Sequence, residues 1–470
     1  MSYEELCYLT VAELAGLFRQ REASPVDVTL AVLDRIERME DRLNAYILVT
    51  RERALKDARK AEAKLLRGET SSPLCGVPVS LKDIFDVEGL PMTCASDVLK
   101  GRYVSTRTAH VAQRLFDAGV VFVGKNNLLE FAYGETHPSF GYTRNPWDLE
   151  RSTMGSSTGS AATVAARQAF ASIGTDTGGS IRLPASYCGL VGLKPTYGLV
   201  SRRGLVSLSW SCDHVGPLTR SAADAAIVMD AIAGFDPGDP ASVAGPPFRF
   251  AQKLQEGIRG LRCGVVAHEF GEQVDAEVRD AVRLAVGVLE DLGVETEEVE
   301  LPGMDQAVLA LITILLVEAS SYHKDWIRER PEGYSATTRE RLMLGSLVPA
   351  IDYVQVQRYR RTFCDVVSRV LERVDVLVTP TSITPAHLLA EERPGRDLAP
   401  LVRPTGPFNL SGNPAISVPC GFTSKGLPIG MQLVGRPFSD SDLLRIAHKY
   451  QEVTDWHRRR PRSLDAAQTV

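Results

Sequence analysis

Gly174-Thr-Asp-Thr-Gly-Gly-Ser-Ile-Arg-Leu-Pro-Ala185 is the stretch around which the chain is organised. Ser180 follows two glycines that let the backbone turn tightly. With no side chains at Gly178 and Gly179, the N–H groups from Thr177 to Ser180 can converge on one carbonyl oxygen, as an anion-binding nest does. A serine is a weak nucleophile, so it needs a base to take its proton and donors to hold the oxyanion that develops after attack. Taken alone, Gly-Gly-Ser reads more simply as a glycine-rich turn. Its neighbours decide.

Phe170-Ala-Ser-Ile-Gly reads as a strand running into this loop. Before it lies a small-residue helix ending near Ala169, opened by Met154-Gly-Ser-Ser-Thr-Gly-Ser. A helix of about 12 residues climbs roughly 18 Å and a strand of about six descends roughly 20 Å, so the loop before the helix and the loop after the strand lie at one end. Ser156 and Ser180 can therefore meet. Ser156 and Ser157 also open a helix, where free amides and the helix dipole favour negative charge; plain N-capping accounts for them as well. Further upstream, Gly76-Val-Pro-Val-Ser-Leu-Lys-Asp is a short apolar strand carrying Lys82. Either its ammonium leaves the strand end for solvent or Asp83, or burial lowers its pKa from about 10.4 toward neutrality and makes it a general base.

Residues 10–66 read as helices, because Leu14, Leu17 and Phe18, then Val28, Ala31, Val32 and Ile36, recur at three- and four-residue spacing. Ser24-Pro25 supplies an N-cap followed by proline at the first helical position. The expected division is a helical lead-in over 1–68 packed on a catalytic domain over 69–470. Strands and helices alternate from Leu74 through Val120-Val-Phe-Val and Leu261–Leu301 to a closing helix at Ser441–Val453, which predicts an α/β fold. No internal repeat or separating linker interrupts it.

The net charge is −5 with no long basic run, which argues against nucleic acid as a direct partner. Eight cysteines are scattered without paired spacing, and MSYEELCYLT lacks signal-peptide character. These features predict a reduced, cytoplasmic protein with no metal and no cofactor. The apolar run Ala307–Val317 falls short of the roughly 20 residues a membrane span needs, so a buried helix and no membrane are expected.

Three segments together, Gly76-Val-Pro-Val-Ser-Leu-Lys-Asp, Gly155-Ser-Ser-Thr-Gly-Ser-Ala and Gly174 through Pro195-Thr-Tyr-Gly198, resemble the amidase signature family. The similarity extends through Gly412-Asn-Pro-Ala-Ile-Ser-Val-Pro to the final helix. The resemblance implies one large domain, a mixed twisted β-sheet surrounded by α-helices. It also implies a triad of a nucleophilic serine, a second serine in a cis peptide and a lysine, falling on Ser180, Ser156 and Lys82. The oxyanion hole then falls on the amides of Thr177, Gly178, Gly179 and Ser180. Ser157 stands behind the triad, and Asp176 with Arg182 either brackets the nucleophile loop or forms an ordinary surface salt bridge. Where the family usually has Gly-Gly-Ser-Ser-Gly-Gly, this chain has Met154-Gly-Ser-Ser-Thr-Gly, so Met154 and Thr158 bear on pocket shape. The substrate pocket is expected at Tyr133, Met154, Trp326, Arg360 and Phe408.

The function expected from these parts is an amidohydrolase for a small or aryl amide, or a carbamate or urea-type bond. A small-molecule amide is then the partner, with a homodimer left open. The alternative is the glutaminase component of a tRNA-dependent amidotransferase; a silent scaffold is disfavoured by the intact triad. In amidotransferase glutaminases, as the resemblance implies, an arginine grips the glutamine carboxylate and an aspartate its amino group. Arg360 matches the arginine. The aspartate position falls near Val402, which carries no acid, with Arg403 and Asp397 nearby.

Overall fold

The computed structural model describes residues 3–70, 72–133, 135–245, 248–392 and 399–461. Its strands are β1 (Tyr46–Val49), β2 (Pro78–Lys82), β3 (Val121–Asn126), β4 (Arg144–Asn145), β5 (Asp148–Ser152), β6 (Ala171–Asp176), β7 (Val191–Lys194) and β8 (His214–Thr219). After them come β9 (Arg262–Val266), β10 (Glu295–Val299), β11 (Val376–Pro380), β12 (Ala415–Phe422) and β13 (Pro428–Gly435). The pair β4 and β5 stands apart, and the other eleven form one sheet in the order β1-β3-β2-β6-β8-β7-β12-β13-β11-β9-β10. The ladder is mixed: β3, β2 and β6 run parallel, β6 to β8 is antiparallel, and β11, β9 and β10 are again parallel. The chain is thus α/β, one domain with a large mixed sheet surrounded by helices.

Strands β2 and β6 are buried along their whole length, as central strands covered on both faces are. Their register pairs Val79 with Ala171 and Leu81 with Ile173, so Lys82 and the end of β6 emerge side by side. The helix between the two serine loops spans Thr158–Ala165 and is wholly buried. Its Gly, Ser and Ala residues explain this: a Cβ on Gly159 would lie 2.1 Å from the Ala45 carbonyl oxygen. It ends four residues earlier than its composition suggests, because the chain turns at Arg167 with φ +64°.

The lead-in is not purely helical. Helices Val11–Gln20, Pro25–Leu43 and Arg51–Leu66 form, the second capped by Ser24 and opened by Pro25, but Tyr46–Val49 joins the sheet as an edge strand against β3. Side chains from Leu6, Leu14 and Phe18 share one core cluster with residues as distant as Tyr450.

The apolar segment near residue 310 is longer than the run predicts. Helix Met304–Tyr322 is long and apolar enough to cross a membrane by length and composition alone, and half of it is buried inside the fold.

Candidate active site

Lys82 emerges from β2 with no exposed surface. Its Nζ donates to Ser156 Oγ and to Thr175 Oγ1, each at 2.8 Å. Burial pulls the Lys82 pKa down to about 7, against the opposing pull of the Asp213 and Asp176 charges. Desolvation is the winning effect because no carboxylate among the described residues reaches ion-pair distance of this nitrogen. Of the two roles open to Lys82, the strand-end ammonium in solvent is therefore ruled out.

Ser156 is buried and follows a cis peptide bond from Gly155. Its carbonyl accepts from Leu129 N at 3.2 Å, and the next amide, Ser157 N, donates to the Ser180 carbonyl at 3.3 Å, so the two serine loops are joined directly. Ser157 Oγ donates to the Thr175 carbonyl at 3.2 Å, which fastens the start of the buried helix to β6. The Ser157 side chain makes no N-cap bond to its own helix.

The nucleophile loop is built on a carboxylate. Asp176 accepts from Gly179 N at 2.7 Å, Ile181 N at 3.1 Å and Arg182 N at 3.3 Å. The Arg182 guanidinium closes on it at 3.0 Å through Nε and 2.9 Å through Nη2. Both side chains are wholly buried, so this is no surface pair. Burial alone would raise the Asp176 carboxyl, but the Arg182 charge and these bonds hold it well below the usual carboxylate range. The remaining Arg182 donors reach Gln432 Oε1 at 2.7 Å, Asn409 Oδ1 at 2.6 Å and the Thr405 carbonyl at 3.0 Å. Every face of the charge is met, which is the condition for burying one.

This arrangement alters the expected oxyanion hole. The Gly179 N–H is spent on Asp176, because the carboxylate three residues back folds over the loop. The amides of Gly178 and Ser180 make no hydrogen bond among the described residues and remain as donors. Gly179 itself cannot be replaced freely: its φ is +135°, and a Cβ would lie 2.4 Å from Thr405 Oγ1. Thr177 contributes a hydroxyl that donates to Asp213 at 2.8 Å.

A cavity of about 720 Å³ opens over Ser156, Thr177, Gly178, Gly179 and Ser180. Tyr133 and Met154 line it as expected, and so does Val402. Three expected pocket residues do not. Trp326 stacks on Phe131 with ring centroids 5.7 Å apart, drawn into an aromatic cluster with His323. Phe408 is fully buried in a second core cluster beside Leu311 and Phe363. Arg360 turns away to donate to the Leu410 carbonyl at 2.7 Å and to the Ser211 carbonyl at 2.8 Å. Arg403 pairs with Glu269 and Asp305, and Asp397 lies outside the described residues.

Several functional contacts escape sequence reasoning. Thr175, the second hydroxyl on Lys82, stands inside the quoted loop and alternation along β6 could have flagged it. Asp213, Thr405 and Asn409 come from distant segments, and no local signal marks them.

Fold and site together define a hydrolase acting on amide C–N bonds. A profile of the Amidase family matches residues 27–444, and the chain belongs to that family. The glutaminase-type component of the glutamyl-tRNA(Gln) amidotransferase of Moorella thermoacetica is 42% identical over 484 residues, covering 97% of this chain and 99% of that protein. An amidase of Pseudomonas putida is likewise 42% identical over 471 residues, covering 98% and 99%. Among solved structures, 6-aminohexanoate cyclic dimer hydrolase complexed with substrate is similar with a TM-score of 0.89 at 30% identity, covering 97% of this chain and 99% of that one.

Proposed function

We propose that this chain is a free-standing amidohydrolase that cleaves a small or aryl amide, or a related carbamate or urea-type bond, through a Ser180 acyl-enzyme. Neutral Lys82 takes the proton of Ser156 as Ser156 takes that of Ser180, and Ser180 Oγ bonds to the amide carbonyl carbon. The Gly178 and Ser180 amides meet the oxyanion. As the C–N bond breaks, the relay runs backward and returns the proton to the leaving amine. Water then adds to the acyl-enzyme by the same relay and frees the acid. What supports Lys82 as the base is its pKa near 7 and its 2.8 Å contact with Ser156.

The observation that carries the free-standing reading is Val402. It lines the cavity at the position where a glutaminase requires an acid for the substrate ammonium, and Arg360 is turned to Ser211 and Leu410 instead of the cavity. A buried ammonium without a counter-charge costs a few kcal/mol. The second reading, a glutaminase within an amidotransferase, is favoured by the similarity to the Moorella thermoacetica protein. That relative is named for a tRNA-linked reaction, so a net charge of −5 does not exclude tRNA linkage here. The eight cysteines stand unpaired, which supports a reducing, cytoplasmic setting.

The purified chain assayed with benzamide, propionamide and glutamine separates the two. Turnover of a neutral amide well above that of glutamine supports the free-standing enzyme. Comparable glutaminase activity, or co-purification with an amidotransferase partner, overturns it.

A further inference from the structure

Most of the cavity wall is apolar, formed by residues such as Leu129, Met154, Leu183, Leu315 and Val402. Two of its lining residues carry polar atoms that nothing satisfies. Tyr133 is 7% exposed, and its hydroxyl has no hydrogen-bond partner among the described residues. Glu135, two positions on, has a buried carboxylate oxygen, Oε2, that is equally unpartnered, and it forms no ion pair among the described residues. Buried polar atoms left unpaired are costly, so two in one cavity point to a ligand group that completes them.

The charges of the cavity indicate its sign. Tyr142 lines the same space, and after burial the Glu392 and Glu135 charges both raise its pKa, so two carboxylates act on one spot. The guanidinium of Arg341 is engaged, donating to the Tyr133 carbonyl at 2.6 Å and standing 5.8 Å over the Tyr133 ring. His387 is held between Tyr187 and Glu392. A protonated amine matches what remains: it brings several N–H donors and a positive charge to a carboxylate oxygen, a phenol oxygen and an aromatic face.

We propose that Tyr133 and Glu135 form a cation-recognising end of the substrate cavity and select apolar amides that carry a protonated amine away from the scissile bond. The assignment rests on the amidase reading for the scissile end, and its test is a binding measurement that needs no turnover. Phenethylamine and phenethyl alcohol share an apolar body and differ in the charged head. Each is titrated by calorimetry near neutral pH into the wild-type chain, Glu135→Gln and Tyr133→Phe. The wild type is expected to bind the amine at least about tenfold more tightly than the alcohol. Glu135→Gln is expected to bring that ratio to within about threefold of one, and Tyr133→Phe to weaken the amine by about threefold or more. Equal binding of amine and alcohol by the wild type overturns the proposal, as does amine affinity unchanged in Glu135→Gln. If Glu135→Gln fails to fold, the wild-type ratio and Tyr133→Phe decide. A chain that hydrolyses no amide contradicts the proposed function and leaves these ratios to be read on their own.

Discussion

The Lys82 amine lies 2.8 Å from Ser156 Oγ and meets hydroxyls rather than a carboxylate. A buried lysine with an acid in contact would stay charged; one ringed by hydroxyls can release its proton and then accept another.

The pH dependence follows from this with a definite sign. Burial lowers the Lys82 pKa from 10.5 to about 7, and only the neutral amine can act as base. The rate is therefore expected to rise about tenfold per pH unit below about 7 and to level off above it. A kcat/KM profile on a neutral amide reads this. A rate that stays flat from pH 5 to pH 8 contradicts a lysine base.

Thr175→Val removes one of the two hydroxyls on Lys82 while keeping the side-chain shape. A hydrogen bond to a charged or charging group is worth about 1.5–3 kcal/mol, so kcat is expected to fall roughly ten- to hundredfold. The thermal midpoint, measured alongside, separates this from unfolding. Activity within twofold of wild type with an unchanged pH profile contradicts the role.

Asp176→Asn leaves the Arg182 guanidinium buried without its counter-charge. Breaking a buried pair by removing one partner costs about 3–5 kcal/mol, and a urea titration is expected to register that loss. A variant as stable as wild type means that the loop does not depend on the carboxylate.

Much of this site is legible in the chain before folding. Ser180, Ser156 and Lys82 stand in short dense motifs whose neighbours are fixed by sequence adjacency, and the βα alternation brings their strand ends together. Contacts supplied from afar are not legible in the same way. Asn409 and Thr405 close on Arg182 across more than two hundred residues, and nothing in Gly406-Pro-Phe-Asn announces it. Periodicity also says which residues are apolar but not what they face. Phe408 and Trp326 read as pocket aromatics, yet the first fills a core cluster and the second stacks on Phe131. Tyr46-Ile-Leu-Val is too short a run to separate from the helices around it, and only pairing with β3 makes it a strand.

The chain's chemistry is tested most directly by trapping the nucleophile. The protein is incubated with an alkyl fluorophosphonate, its intact mass is measured, and the modified peptide is mapped. One adduct is expected, on the peptide carrying Ser180, abolished in Ser180→Ala and slowed in Lys82→Ala. Labelling at another residue, or labelling undiminished in Ser180→Ala, contradicts the account.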